Sequence, residues 1–227
     1  MERLGNEHRV IISQLYRACR FNCLELLNDK GWKQKLQALS ESERCAIGNC
    51  RVHVRMNDGS QQKSTCLLVA SLAADLDVIK FILRHRNVDV TRQRDSRHET
   101  VLHKACKSHV QADEKTEFLV SKYPELTTVA TTCGTLPLHV AAKHNKVRCL
   151  EILLKRDPNS VNKSTSRGLT PLHIAVRCGH LKIMNFLLGC DFININAQDV
   201  NGDTPAHLTA FHNQSDCQIP TTLNAAF

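Results

Sequence analysis

Gly168-Leu169-Thr170-Pro171-Leu172-His173-Ile174-Ala175 is followed, thirteen residues past its histidine, by Phe186-Leu187-Leu188. Thr170 offers a hydroxyl to cap a helix, Pro171 suits the first turn because its missing amide proton would have no partner there, and Leu172, Ala175 and Val176 form one apolar stripe. Cys178-Gly179-His180 then turns the chain, with Gly179 supplying a positive φ. Leu181, Ile183, Met184, Leu187 and Leu188 make the face of a returning antiparallel helix. Gly189 to Gly202 is a projecting loop, and Asp199-Val200-Asn201-Gly202 carries turn chemistry.

The pattern recurs. His103, His139, His173 and His207 stand 36, 34 and 34 residues apart. Gly134, Pro137, Leu138, His139 and Ala141 precede Ile152-Leu153-Leu154 in the same register, and Leu68 occupies a histidine position ahead of Phe81-Ile82-Leu83. A period in this range marks stacked units, each too small to bury its own apolar face. Thr-Pro-Leu-His-x-Ala, a short loop and a helix ending in paired leucines resembles the ankyrin repeat. The resemblance is clean over Leu136 to Leu154 and Thr170 to Leu188, looser in two earlier copies and partial at each end. It implies an all-α fold, a solenoid of antiparallel helix pairs with projecting β-turn or hairpin-like fingers. The expected organisation is a degenerate helix pair at 1–28, an irregular insertion at 29–59, repeats at 60–94, 95–130, 131–164 and 165–198, and an incomplete repeat with a tail at 199–227.

The imperfections have specific places. Leu15, Tyr16 and Ala18 mark the first copy, with Leu24, Leu26 and Leu27 as its second helix, but 52 residues separate Tyr16 from Leu68. The surplus falls in Asp29 to Gly59 and is expected as a long loop or an added short helix around Trp32 to Leu39. Phe118 lies 15 residues past His103 instead of 13, so two residues are inserted between the helices of that copy. Pro220 stands where the last copy needs a second helix, which a proline would break. The expectation is a fragment or truncated form of a longer repeat protein, a channel, kinase or ubiquitin ligase among them, or an end covered by its own tail or a partner.

Composition excludes several classes. Aromatic residues are only 4% of 227 residues, so packing rests on leucine, isoleucine, valine and alanine. The longest near-apolar stretch, Leu67 to Ala74, is too short for a bilayer, and Met1 to Glu7 lacks a signal peptide's apolar core. Eleven cysteines, an odd number with no CxxC pair, read as reduced thiols in the cytoplasm or nucleus. Cys106 and Cys149 fall on inward helix stripes, as small hydrophobes. Cys45, Cys50, His53 and Cys66 could offer soft ligands to zinc, but their spacing fits no familiar finger, and no metal or cofactor is expected. No phosphate loop, nucleophile elbow or His-Glu-x-x-His helix occurs, so no enzyme is expected. The recurring histidines are expected to be structural, because repeats about 10 Å apart cannot converge on one metal. Leu136 removes the usual threonine beside His139.

Function is then sought at exposed positions that repeat. Four residues after each marker stand Arg20, Leu72, Lys107, Lys143, Arg177 and Phe211, of which four are cationic. The resemblance places this position along a concave groove. Arg92, Arg94, Arg97 and His98, following Arg84, His85 and Arg86, are read as a basic finger, and Arg167 lies on a later one. The formal net charge is +8, none of it from residues 161–227. A protein partner with an acidic segment is the expectation. Nucleic acid is disfavoured, since the basic residues lack interleaved aromatics. Asn196, in Ile195-Asn196-Ala197-Gln198-Asp199, resembles the finger asparagine that hydroxylases modify in ankyrin proteins, and Asn162 shares its register.

Overall fold

The computed structural model describes residues 6–21, 38, 40, 51–55, 61–85 and 89–212. Ten helices occur among them: α1 Asn6–Phe21, α2 Cys66–Ala73, α3 Leu76–His85, α4 Val101–Lys107, α5 Ala112–Lys122, α6 Pro137–Lys143, α7 Val147–Arg156, α8 Pro171–Arg177, α9 Leu181–Leu188 and α10 Pro205–His212. A two-stranded antiparallel pair, β1 Arg51–Arg55 and β2 Gln61–Thr65, precedes α2. The chain divides into two compact units, residues 1–115 and 116–227. The fold is the predominantly helical ankyrin type that the repeat pattern implies.

In the second unit, α6 and α8 are first helices of seven residues each, too short to be stable in isolation. Their stability comes from packing: α6 lies against α8, α8 against α10, and each first helix against its own second helix, α7 or α9. Pro171 to Val176 are all buried, as are Pro137 to Ala142, so a first helix is enclosed on nearly every side. On the second helices the inner face is Cys149, Leu150, Leu153 and Leu154 in α7, and Ile183, Met184 and Leu187 in α9. Leu181 departs from the expected stripe, for it lies in the first turn of α9 and is exposed.

In the first unit α1 packs on α2, and α2 on both α3 and α4. Ile11, Ile12, Leu15, Ala18 and Cys19 bury one face of α1, as the helical period requires. The strand pair is an element that the irregular reading of 29–59 did not contain. Its register sets Val52 opposite Ser64 and Val54 opposite Gln62, and β2 runs directly into α2, whose first turn is capped by the Thr65 hydroxyl. Apart from Ala38, which is helical, the expected short helix around Trp32 to Leu39, the second helix at Leu24 to Leu27 and the tail beyond His212 lie outside the described residues. So do Cys45 and Cys50 of the suggested zinc cluster, whereas His53 lies in β1 and Cys66 is a free, buried thiol at the start of α2.

The two-residue insertion is visible at 108–110. Asn145 and Gly179 turn the chain between paired helices with left-handed φ values of 55° and 67°. Gln111 does the same at 43°, but sits two residues further from its histidine. The shift carries through α5, so Leu119 and Val120 are buried where Leu153 and Leu154 are in the next copy, and Lys115 takes the position of Cys149. Lys115 is fully buried; its ammonium donates to Ser108 Oγ at 2.9 Å and to the Ser71 carbonyl at 3.4 Å, near the C-terminal end of α2.

Candidate protein-docking surface

The recurring histidines are fixed by hydrogen bonds that use both ring nitrogens. In the copy at His173, Nδ1 accepts from the Thr170 amide at 3.2 Å, with the Thr170 hydroxyl 2.8 Å away, and Nε2 donates to the Asp203 carbonyl at 3.1 Å. His139 keeps this arrangement without the hydroxyl: the Leu136 amide donates to Nδ1 at 3.1 Å, and Nε2 donates to the Lys163 carbonyl at 2.8 Å. His103 and His207 repeat the threonine clamp with Thr100 and Thr204. An Nδ1 that accepts a backbone proton leaves the ring's own proton on Nε2, so neither nitrogen of His139 or His173 offers a lone pair to a metal. Burial, opposed by the Asp203 carbonyl and the Asp199 charge, holds the His173 pKa below its ordinary value.

The fingers are built on a second recurring device. At 95–99, 131–135, 165–169 and 199–203 the first residue's amide donates to the carbonyl four residues on, at 2.9–3.2 Å. A first-position side chain, Asp95, Thr131, Thr165 or Asp199, accepts the last residue's amide. The fourth position is left-handed each time: His98, Gly134, Gly168 and Gly202, with φ from 61° to 82°. In the second unit these turns interlock, because Ser166 donates its amide to the Cys133 carbonyl at 3.0 Å and Val200 donates to Arg167 at 3.1 Å. A Cβ on Gly134 would lie 2.8 Å from the Ser166 nitrogen, and one on Gly168 would lie 2.7 Å from the Asp199 Cα.

Onto this frame the candidate docking residues fall unevenly. Lys143 and Arg177 end α6 and α8 in the same register on helices that touch, and both are exposed. Among the described residues neither is paired with a carboxylate. Lys107, the equivalent residue of α4 in the first unit, is half-buried rather than exposed. Arg20 is exposed on α1, its guanidinium donating to the Tyr16 hydroxyl at 3.3 Å. Arg167 is exposed at the tip of its finger.

The basic finger read at Arg92, Arg94 and Arg97 is not one presented cluster. Arg92 is exposed but lies outside the turn, where it ends a short 3-10 segment and pairs with Asp89 at 3.2 Å. Arg94 is half-buried and donates to its neighbour's carbonyl at Gln93; burial lowers its pKa against the opposing charge of Asp89. Only Arg97 and His98 sit at the exposed tip. Burial favours the neutral Asp95 carboxyl beneath them, but the hydrogen bond and charge of Lys104, with the amides of Glu99 and Arg97, outweigh it and hold the pKa low. The Lys104 ammonium is 2.6 Å from Asp95 and also contacts Glu99, all three largely buried. The sequence carries one weak signal of this ion triad: the residue after the marker is apolar in four other copies, Val69, Val140, Ile174 and Leu208, whereas it is Arg17 in the first copy and lysine only here.

The two asparagines also differ. Asn162 donates from Nδ2 to the Phe192 carbonyl at 2.7 Å and accepts from the Asn194 amide at 2.8 Å, so its carboxamide braces the next loop. Asn196 is exposed, and its amide donates to Asn194 Oδ1 at 3.2 Å.

A model of the ankyrin-repeat family matches residues 114–199 in three copies. Residues 114–199 are ankyrin repeats. The match covers the clamped histidines His139 and His173, the interlocked fingers at 131–135 and 165–169, and both Lys143 and Arg177. No curated protein matches the chain. Ankyrin repeats are protein–protein interaction modules, typically without enzymatic activity. No helix among the described residues is long and apolar enough to cross a membrane.

Proposed function

We propose that the second unit docks an acidic segment of a protein partner through Lys143 and Arg177, and that the chain thereby acts as an adaptor or scaffold. One observation carries the reading: two cations occupy the same register at the ends of touching helices, exposed, with no carboxylate of the described chain on either. Neighbouring packed helices lie roughly 10 Å apart, a spacing that suits carboxylates spread along an extended peptide. Their backbone is held by the repeat frame, so little ordering cost falls on binding beyond the two side chains. Lys107, half-buried in the first unit, is left out of this pair.

Affinity capture from cells tests the proposal with the wild type, Lys143→Glu/Arg177→Glu, and a control of equal charge change, Lys155→Glu/Lys182→Glu, on the second helices. The first pair is expected to lose partners that the wild type and the control retain. Identical captured sets from all three would overturn the proposal.

A further inference from the structure

Phe192 carries three features that fold stability does not explain. Its side chain is 94% exposed, its φ is +63°, and its carbonyl is held by Asn162 from the previous repeat. A phenylalanine in the left-handed region pays a steric penalty that glycine would not, and its ring gains nothing from burial. The two preceding repeats solve this place differently: Pro124 and Pro158, at 34-residue intervals before Phe192, each open a short 3-10 turn. At 189–198 no 3-10 turn forms. Asn162 instead grips the backbone on both sides of Ile193, at 2.7 Å and 2.8 Å, and the ring projects outward.

The surroundings point to the occupant. Residues 189–203 contain Asp191, Asp199 and Asp203 but no lysine or arginine. Val200, on the adjoining finger, is 68% exposed. An aromatic knob on a preorganised backbone suits a protein pocket, where such residues act as anchors, and the acidic stretch that carries it, with Asp191 adjacent in sequence, favours a basic rim. The same negative charge opposes an anionic lipid surface. We infer that Phe192 is the anchor of a second docking site, distinct from Lys143 and Arg177, for a protein partner with an apolar pocket bordered by lysine or arginine.

Phe192→p-benzoylphenylalanine in the full chain, photolysed in cells beside the same substitution at exposed Asn159, identifies what the ring contacts. The expected adduct is on a protein residue within an apolar pocket flanked by basic side chains. With that partner purified, Phe192→Ala is expected to weaken binding about thirtyfold, as for an interface anchor. Asp191→Lys should weaken it less, and the loss should shrink as salt is added. Phe192→Asn tolerates the left-handed backbone and should bind as poorly as Phe192→Ala while melting no lower than the wild type. No adduct beyond the Asn159 control, adducts only on lipid or on a second copy of the chain, or unchanged affinity in Phe192→Ala would each overturn the inference.

Discussion

His180 donates its Nε2 proton to the carbonyl oxygen of Lys143 at 2.9 Å, joining the loop of one repeat to the last helical residue of the repeat before it. In the first unit the Ser108 hydroxyl donates to the carbonyl of Leu72, one residue before the end of α2, at 2.8 Å. The end of a first helix leaves carbonyls with no intrahelical partner, and in both units the next repeat supplies a donor. Lys143 is thus anchored through its backbone while its ammonium stays exposed. His180→Ala should lower stability by about 1 kcal/mol, the usual net value of one such bond, measured by urea denaturation.

Gly168 and Gly202 separate backbone conformation from crowding. Both are left-handed, at 75° and 82°, but a Cβ on Gly168 would strike the next finger at 2.7 Å, whereas nothing lies within 4 Å of one on Gly202. Gly202→Ala should cost about 1 kcal/mol for the conformation alone. Gly168→Ala should cost clearly more, above roughly 2 kcal/mol, because backbone must move. Equal losses in denaturant titrations would mean that the fingers do not interlock.

The depressed pKa of His173 sets a pH dependence. A base with a lower pKa in the folded state contributes stability that is complete above its unfolded value, about 6.5, and is lost as pH falls below it. Stability should decline from neutrality toward pH 5, and His173→Gln should be less stable at neutral pH with a flatter dependence across that window. Melting temperatures collected from pH 8 to pH 5 on both proteins decide this.

Removing Lys104 leaves two carboxylates largely buried without their cation. Lys104→Met should therefore destabilise the chain by about 3–5 kcal/mol, the cost of breaking a buried pair from one side. Lys104→Met/Asp95→Asn should recover part of that loss. Denaturation of the single and double variants reads the coupling directly.

Asn196 and Asn162 share a register but not a role. If a hydroxylase acts on this array, the oxygen belongs on exposed Asn196, because Asn162 uses both ends of its carboxamide to hold the next loop. Peptide mass spectrometry of protein from cells is expected to find one added oxygen at Asn196 and none at Asn162. Protein without it at either position removes Asn196 as a substrate.

What the sequence shows and what it hides divide along a physical line. Thr170 and His173 are three residues apart on one helical turn, so their clamp is legible locally, as are the left-handed turn at Gly179 and the inner stripe of α8. The Lys104 triad is not, because it depends on how a finger folds back on the following helix, and the alternating Val52 and Val54 could be placed only by their partner strand. Lys115 shows how a local slip propagates: two extra residues before Gln111 carry a lysine into a core position that its neighbours fill with Val78, Cys149 and Ile183. Charge counting puts Arg92 and Arg94 on the docking surface alike; burial draws Arg94 partly in, whereas Arg92 stays exposed beside Asp89, and neither setting is encoded in the residues' own identity.

The proposed docking through Lys143 and Arg177 requires a repeat frame that folds without help from either side chain. The direct measurement is calorimetric titration of a captured partner into wild type and Lys143→Glu/Arg177→Glu, at low and at physiological salt, with melting temperatures taken alongside. Binding should be at least about tenfold weaker in the variant at low salt, with a gap that narrows as salt rises and with unchanged melting. Equal affinities for the two proteins would contradict the proposed docking.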